Sequence, residues 1–202
     1  MISDIHGRSD HISRLKDVEY DLLIICGDIT DFGHYTQARA IMSLIPGPFL
    51  AIHGNCDHED VLTALDEAHS NLHHRIITMQ DEWFAGFGGS HHFLGRTPSE
   101  YSEEVIYQGL SSIPPDTILV THAPPENTRV DRAFKVRHVG SRAVRMIIEE
   151  KKPKMVLCGH VHESKNTDHI GHTLIINPGT FSSGCYATVS TRTGECSLEQ
   201  FR

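Results

Sequence analysis

The stretch Leu22-Leu23-Ile24-Ile25-Cys26-Gly27-Asp28 decides the fold. Its run of apolar residues, closed by Gly27, predicts a short β-strand that is buried on both faces. In an open α/β sheet, ligands bind beyond the carboxyl ends of the strands, and Asp28 follows this strand directly. A carboxylate at the edge of an apolar core is normally paired or bound to a metal. An Asp that caps a turn or helix after a strand is the alternative explanation.

The composition predicts a single globular domain over residues 1–202. Its hydrophobic fraction is 39%, and no apolar run approaches the roughly 20 residues of a membrane span. The first residues have neither the basic nor the apolar region of a signal peptide. Five cysteines, an odd number without a CxxC pair, favour reduced thiols and therefore a cytoplasmic location.

The formal net charge of -8 argues against a broad nucleic-acid-binding surface. A small anionic substrate is still compatible with this charge, because bound metal ions can outweigh the mean field of the protein. The oligomeric state is left open by the sequence.

Five predicted strands end in the same kind of residue. Each is a short apolar run that leads directly into Asp, Asn or His, and neighbouring strands would bring these side chains to one edge. Where two such residues are separated by one apolar residue, their side chains share a face. The seven side chains at these strand ends are those of Asp4, His6, Asp28, Asn55, His122, His160 and His162.

The residue types at these strand ends form a mixed oxygen and nitrogen ligand set. Each one alone has an ordinary explanation: Asn55 is typical of a turn, and a lone His122 is more often hydrogen bonded than a ligand. For all of these explanations to hold, such residues would have to follow five separate strands by coincidence. Imidazole suits Zn, Fe, Ni and Mn, and carboxylate suits Mn and Mg. Seven ligands are too many for one tetrahedral ion and suit two ions that share a carboxylate.

The motifs resemble those of the calcineurin-like metallophosphoesterases, whose pattern is D-x-H, G-D-x-x-D, G-N-[H/C]-[D/E], a lone H and G-H-x-H. This chain carries them in order at residues 4–6, 27–31, 54–57, 122 and 159–162. The resemblance implies an α/β fold with two packed mixed β-sheets flanked by helices, in four αββα layers. It further implies that a hydroxide between two metal ions attacks the phosphate ester.

The same resemblance implies which residues hold each ion, with Asp28 shared between the two. The first ion would be held by Asp4, His6, Asp28 and His162. The second ion would be held by Asp28, Asn55, His122 and His160. The expected cofactors are two divalent ions, Mn first, with Fe, Ni, Zn or Mg as alternatives.

The predicted function is hydrolysis of a small phosphate ester, with phosphodiesters of small molecules or nucleotides favoured. Residues 27–33 lack the Arg that follows the G-D-x-x-D motif in protein serine/threonine phosphatases, so that class is disfavoured. The alternative is a non-catalytic scaffold or binding protein with the same fold. Scaffold relatives have lost ligands, whereas this chain keeps all seven.

Cys56 stands where many relatives carry a His that assists the leaving group. A thiol is a weaker hydrogen-bond donor and a poorer acid than an imidazolium. Small prokaryotic members of the family share this Cys, so we interpret it as a subfamily feature. Cys56 and its neighbour Asp57 are predicted catalytic residues.

The predicted substrate-binding residues are Asn55, His138 and Arg132. A structural ion pair between Asp131 and Arg132 is the alternative explanation for the last of these. The short segment before Asp4 also leads us to expect a truncated start, because the first strand of relatives is usually longer.

Overall fold

The computed structural model describes residues 1–92, 96–134 and 136–201. Its strands are β1 (Leu23–Cys26), β2 (Phe49–Ile52), β3 (Arg75–Met79), β4 (Glu82–Phe87), β5 (Ser90–His91), β6 (Glu100–Tyr101), β7 (Ile118–Thr121), β8 (Arg132–Ala133), β9 (Arg137–His138), β10 (Met155–Leu157), β11 (Asn166–Ile170), β12 (Thr173–Asn177), β13 (Cys185–Val189) and β14 (Cys196–Gln200). The helices are α1 (Tyr35–Met42), α2 (Val61–Glu67), α3 (Glu103–Leu110) and α4 (Arg142–Lys151), with 3-10 turns at Ile12–Asp17 and Phe181–Ser183.

The larger sheet has six strands in the order β11-β12-β10-β7-β4-β3. Its four inner strands are parallel, and the edge strands β11 and β3 pair antiparallel to their neighbours. Strands β7 and β10 are buried along their whole length, as a parallel strand covered on both faces must be. Their carboxyl ends therefore meet at one edge of the sheet.

A second sheet forms around the decisive stretch. Strand β1, which covers most of that stretch, pairs parallel with β2, and residues 1–3 lie along its other side, with Ile2 bridging to Ile25. Met1 in turn exchanges backbone hydrogen bonds with Ala187 of the β13–β14 hairpin. The first residues of the chain thus lie in the middle of this sheet, between β1 and β13.

Apolar packing divides the fold into four layers. One core lies between the two sheets and combines side chains such as Ile24 and Ile52 with Val120 and Leu157. A second core joins the outer face of the second sheet to α1, α2 and the first 3-10 turn. A third joins the six-stranded sheet to α3 and α4. The predicted αββα arrangement of two packed sheets flanked by helices is confirmed.

Two predicted helices differ from the observed ones. The helical spacing of Ile12 and Leu15 predicts a helix over residues 8–18, but the structure has only the 3-10 turn Ile12–Asp17 there. The sequence predicts a helix over residues 99–110, but α3 begins at Glu103, since Ser102 accepts a hydrogen bond from the Val105 amide, and residues 100–101 pair instead as β6. Among the described helices, none has the length and apolar character needed to cross a membrane.

Candidate metal centre

The carboxyl ends of both sheets bring the predicted ligands to one place. Asp28 follows β1, Asn55 follows β2, His122 follows β7, and the 160–162 loop follows β10. Residues 4–6 continue the segment that pairs with β1. The structure therefore collects side chains that are far apart in the sequence, as the alignment of parallel strands requires.

The first group of ligands surrounds the Nε2 atoms of two histidines. The Nε2 atoms of His6 and His162 lie 3.0 Å apart. His162 Nε2 is 3.3 Å from Asp4 Oδ1, and His6 Nε2 is 3.6 Å from Asp28 Oδ2. These four residues are the set predicted for the first ion.

The second group surrounds Nε2 of His122. This atom lies 2.9 Å from Asn55 Oδ1 and 3.4 Å from Asp28 Oδ2. The other ring nitrogen, Nδ1, is 2.7 Å from the carbonyl oxygen of Cys26, so the ring donates there and its orientation is fixed. The His160 ring lies edge-on to that of His122, with centroids 5.0 Å apart.

The donor atoms have the spacing that divalent ions require. Ligands about 2.0–2.2 Å from one ion lie about 3.0–3.6 Å from each other at tetrahedral or octahedral angles. The observed separations of 3.0, 3.3 and 3.6 Å fall in that range. Asp28 Oδ2 borders both groups, as a bridging carboxylate must. The residues present therefore fit a pair of divalent ions.

Backbone strain is concentrated at these positions. Four of the seven predicted ligands have left-handed backbone conformations: Asp4 (φ 58°), His6 (φ 48°), Asp28 (φ 49°) and His160 (φ 68°). Residues other than glycine rarely adopt this conformation, which costs on the order of 1 kcal/mol or more each. Hydrogen bonds hold it in place, such as those from Asp4 N to Gly27 O and from His6 N to Asp28 O. Strain of this kind typically accumulates where geometry serves function.

Asp28 and His122 form a buried ion pair in the metal-free protein. Burial alone would raise the pKa of Asp28, but the charge and hydrogen bond of His122 outweigh it and lower that pKa. Burial would likewise lower the pKa of His122, but Asp28 and then Asp4 raise it to about 9. The pair with Asp28 therefore favours the doubly protonated form of His122 in the metal-free protein.

Comparison with known proteins agrees with this arrangement. A model of the calcineurin-like phosphoesterase superfamily domain matches residues 1–194. The chain belongs to this superfamily. A protein of Methanocaldococcus jannaschii without an assigned function is 36% identical over 197 residues, which cover 93% of this chain and 90% of that protein.

Solved structures share the superfamily fold. A Thermus thermophilus protein superposes with a TM-score of 0.76 at 18% identity, covering 100% of this chain and 97% of that one. A structure described as a novel archaeal phosphodiesterase superposes with a TM-score of 0.55 at 17% identity, covering 99% and 97%. Membership indicates a metal-dependent phosphoesterase, and the acidic and histidine clusters around Asp4, His6 and Asp28 could bind the metal.

The sequence predicts that Asp57 is a catalytic residue. In the structure it lies too deep to contact a substrate. It is fully buried, and its carboxylate accepts hydrogen bonds from the amides of Ile29 (3.0 Å), Thr30 (2.7 Å) and Gly54 (2.8 Å). Burial, together with the negative charge of Asp28, raises its pKa to about 6. Its geometry assigns it a positioning role, since it ties the loop of Asp28 to the loop of Asn55.

Cys56 lies beside the ligands. Its Sγ belongs to a group with His6 and Asp28 whose ligand atoms all lie within 4.8 Å of one another. Its amide donates to Asp28 Oδ1 at 2.8 Å, and its Sγ accepts from Asn55 Nδ2 at 3.4 Å. Burial, together with the charge of Asp28, raises the pKa of the thiol. Cys56 therefore stays a neutral, weakly donating group.

His138 and Arg132 face each other across the short β8–β9 hairpin. The alternative explanation for Arg132, an ion pair with Asp131, is wrong, because the buried Asp131 pairs with His138 instead, at 2.7 Å. Asp131 also accepts from the amides of Asn127, Thr128 and Gly140. Sequence reasoning missed this role of Asp131. Contact of His138 and Arg132 with substrate stays a prediction.

We expect metal binding to release protons. Because the pKa of His122 in the metal-free protein is about 9, its proton competes with the metal at every pH below that value. The apparent metal affinity should therefore rise about tenfold per pH unit between pH 6.5 and 9 for each proton displaced. Calorimetric titration with Mn²⁺ in two buffers of different ionisation enthalpy counts these protons.

The matched control for this measurement is His122→Asn, which keeps an oxygen donor and cannot be protonated. Its titration should release one proton fewer than that of the native chain. Equal proton release by both proteins would show that His122 is neutral before metal arrives.

Proposed function

We propose that this protein is a dinuclear metal-dependent phosphodiesterase that acts on small phosphodiesters, nucleotide esters among them. The observation that carries this proposal is the position of Asp28 Oδ2, 3.6 Å from His6 Nε2 and 3.4 Å from His122 Nε2. One carboxylate oxygen that borders two complete ligand groups is what a two-ion site requires. Mn²⁺ is the ion proposed first, because carboxylate and amide oxygens suit it, while the imidazole donors also suit Fe²⁺, Ni²⁺ and Zn²⁺.

The protein's own residues would prepare the site for two ions in two ways, by fixing the ligands and by joining the ligand loops. Two ions held by the two ligand groups would lower the pKa of a water molecule and neutralise charge on the phosphate oxygens. The His122–Cys26 and His160–Asp4 hydrogen bonds fix ligands before substrate arrives. Asp57 joins the loop of Asp28 to the loop of Asn55 by accepting hydrogen bonds from amides of both. This arrangement supplies preorganised charge, which is the largest contribution to most phosphoryl transfers.

Phosphodiesters are favoured over monoesters by the comparison with a solved structure. Separately, the neutral Cys56 thiol offers little help to a poor leaving group, so esters with good leaving groups suit this site. One structural relative is described as a phosphodiesterase. A cytoplasmic location belongs to the same proposal, because five cysteines without CxxC spacing suit a reducing compartment.

The test is reconstitution of the metal-free protein with Mn²⁺, Fe²⁺, Ni²⁺, Zn²⁺ or Mg²⁺. Each form is assayed on bis(p-nitrophenyl) phosphate and on p-nitrophenyl phosphate. We expect hydrolysis of the diester to exceed that of the monoester about tenfold or more, with Mn²⁺ the most effective ion. Failure of every reconstituted form to hydrolyse either ester would favour the scaffold alternative.

Replacing Cys56 tests leaving-group assistance. Cys56→His should raise the rates of alkyl diesters more than those of aryl diesters, because a general acid contributes about 10²-fold or more only where the leaving group needs a proton. The control is Cys56→Ser, a group of similar size that is also neutral and should leave the alkyl-to-aryl rate ratio unchanged. An unaltered ratio in the His variant would rule out this position as the site of protonation.

A further inference from the structure

Two exposed phenylalanines lie in segments that are hydrogen bonded to the loops of the candidate metal centre. Phe134 is 84% exposed and Phe32 is 51% exposed. Single exposed apolar residues are common on protein surfaces and need no explanation. These two differ because the backbone amide of each donates a hydrogen bond to a loop that carries predicted ligands.

Phe134 lies in the β8–β9 hairpin, which is fastened to the ligand loop of His162. The Phe134 amide donates to Glu163 Oε1 at 2.8 Å. Within the same hairpin, the Arg132 carbonyl oxygen accepts from Ser164 Oγ at 2.7 Å. Glu163 and Ser164 directly follow His162. The backbone of Phe134 is therefore fastened to the segment that directly follows His162, and its ring is exposed.

Phe32 lies beside the other ligand loop. Its amide donates to the Cys56 carbonyl oxygen at 3.1 Å, and its φ of 54° is in the left-handed region. A bulky residue in this conformation is a genuine outlier. Asp28, the shared carboxylate, begins the same loop. The strained backbone of Phe32 is therefore fastened to the Cys56 segment beside the ligands, and its side chain is exposed, so packing of the core does not require an aromatic residue here.

We propose that Phe134 and Phe32 bind the two organic groups of a phosphodiester whose phosphate lies at the metal centre. This inference rests on the proposed function and deepens it by naming planar groups as the ester groups of the substrate. A phosphodiester carries two ester groups and a monoester one, so two separate aromatic surfaces suit a diester. Planar groups such as aryl rings or nucleobases stack on phenylalanine. The exposed Arg132 of the same hairpin complements the phosphate charge in a chain of net charge -8.

Three phosphate esters separate the two surfaces. Bis(p-nitrophenyl) phosphate offers two rings, methyl p-nitrophenyl phosphate offers one, and p-nitrophenyl phosphate is the monoester. Phe134→Ala and Phe32→Ala should each raise KM for the first compound about tenfold, with little change in kcat. The double variant should raise it about 100-fold. For the methyl ester the double variant should be no worse than the more affected single variant, because only one ring is present.

Two control variants accompany the series. Phe134→Tyr keeps the ring and should retain the native KM. Trp83→Ala removes another exposed aromatic residue, which lies near the amino end of β4 and so away from the centre, and should change nothing. Calorimetric titration with diphenyl phosphate, a diester with poor leaving groups, measures the same contacts as binding. We expect about tenfold weaker binding for each single Ala variant.

The results separate this inference from the proposed function. Unchanged KM and unchanged diphenyl phosphate binding in both Ala variants would overturn the inference while the phosphodiesterase activity stands. Equal losses on all three esters, together with a lower melting temperature, would overturn it in favour of a structural role. If the native protein hydrolyses no ester, the proposed function fails, and the calorimetric comparison alone decides whether the two rings bind a diester.

Discussion

Asp28→Ala is expected to lose both ions of the proposed dinuclear site and to lower phosphoesterase activity by more than about 10³-fold, which exceeds the loss of a single transition-state donor. Its Oδ2 borders both ligand groups, while Oδ1 accepts the Cys56 amide at 2.8 Å. Removal of this one side chain therefore takes a ligand from each ion and loosens the Cys56 loop. Elemental analysis after dialysis measures the bound metal, and the diester assay measures activity.

A control variant separates the loss of the negative charge of Asp28 from the loss of its side chain. Asp28→Asn keeps an oxygen that can accept the Cys56 amide, so the loop should hold its conformation while the bridging charge is lost. It should bind at most one ion and remain at least about 10²-fold less active than the native enzyme. Two ions retained by Asp28→Ala would show that another group bridges the site, or that the ions do not share a ligand.

The fold could be predicted from the sequence because its signals are local and repeated. A run such as Leu23–Cys26 is too short and too apolar for a surface helix, and β7 and β10 repeat the pattern. Each run leads into a polar residue that is costly to bury. The carboxyl ends of these strands are therefore expected to meet at a common site. The boundaries of helices were less predictable, because the start of α3 depends on a single cap at Ser102.

The candidate site was predictable in its residue types and less so in its roles. A sequence shows that Asp57 follows a ligand, but only the structure shows that its carboxylate is enclosed by three amides. The pairing of Asp131 with His138 instead of Arg132 depends on the β8–β9 register, which a two-residue strand does not reveal. The exposure of Phe134 likewise has no signal in composition or spacing.

Asp57→Ala should be the most destabilising single change at the centre. It would leave the buried amides of Ile29, Thr30 and Gly54 without their acceptor. An unsatisfied buried donor costs about 1–3 kcal/mol, so the free energy of unfolding should fall by at least about 3 kcal/mol. That is a large part of the roughly 5–15 kcal/mol that stabilises a domain. Urea unfolding of the metal-free protein measures this loss without any contribution from metal binding.

Asp57→Ala should lower metal affinity as well as stability, because Asp57 links the loop of Asp28 to the loop of Asn55. It does so without contacting substrate. Loss of such a supporting group lowers metal affinity by about 10–100-fold. Asp57→Asn should show an intermediate loss, since an amide has one acceptor oxygen and turns its NH₂ group toward donors. The half-exposed Asp60 provides the surface control, and Asp60→Ala should stay within about 0.5 kcal/mol of the native chain. Native stability in Asp57→Ala would mean that water replaces the carboxylate, and the positioning role would then be wrong.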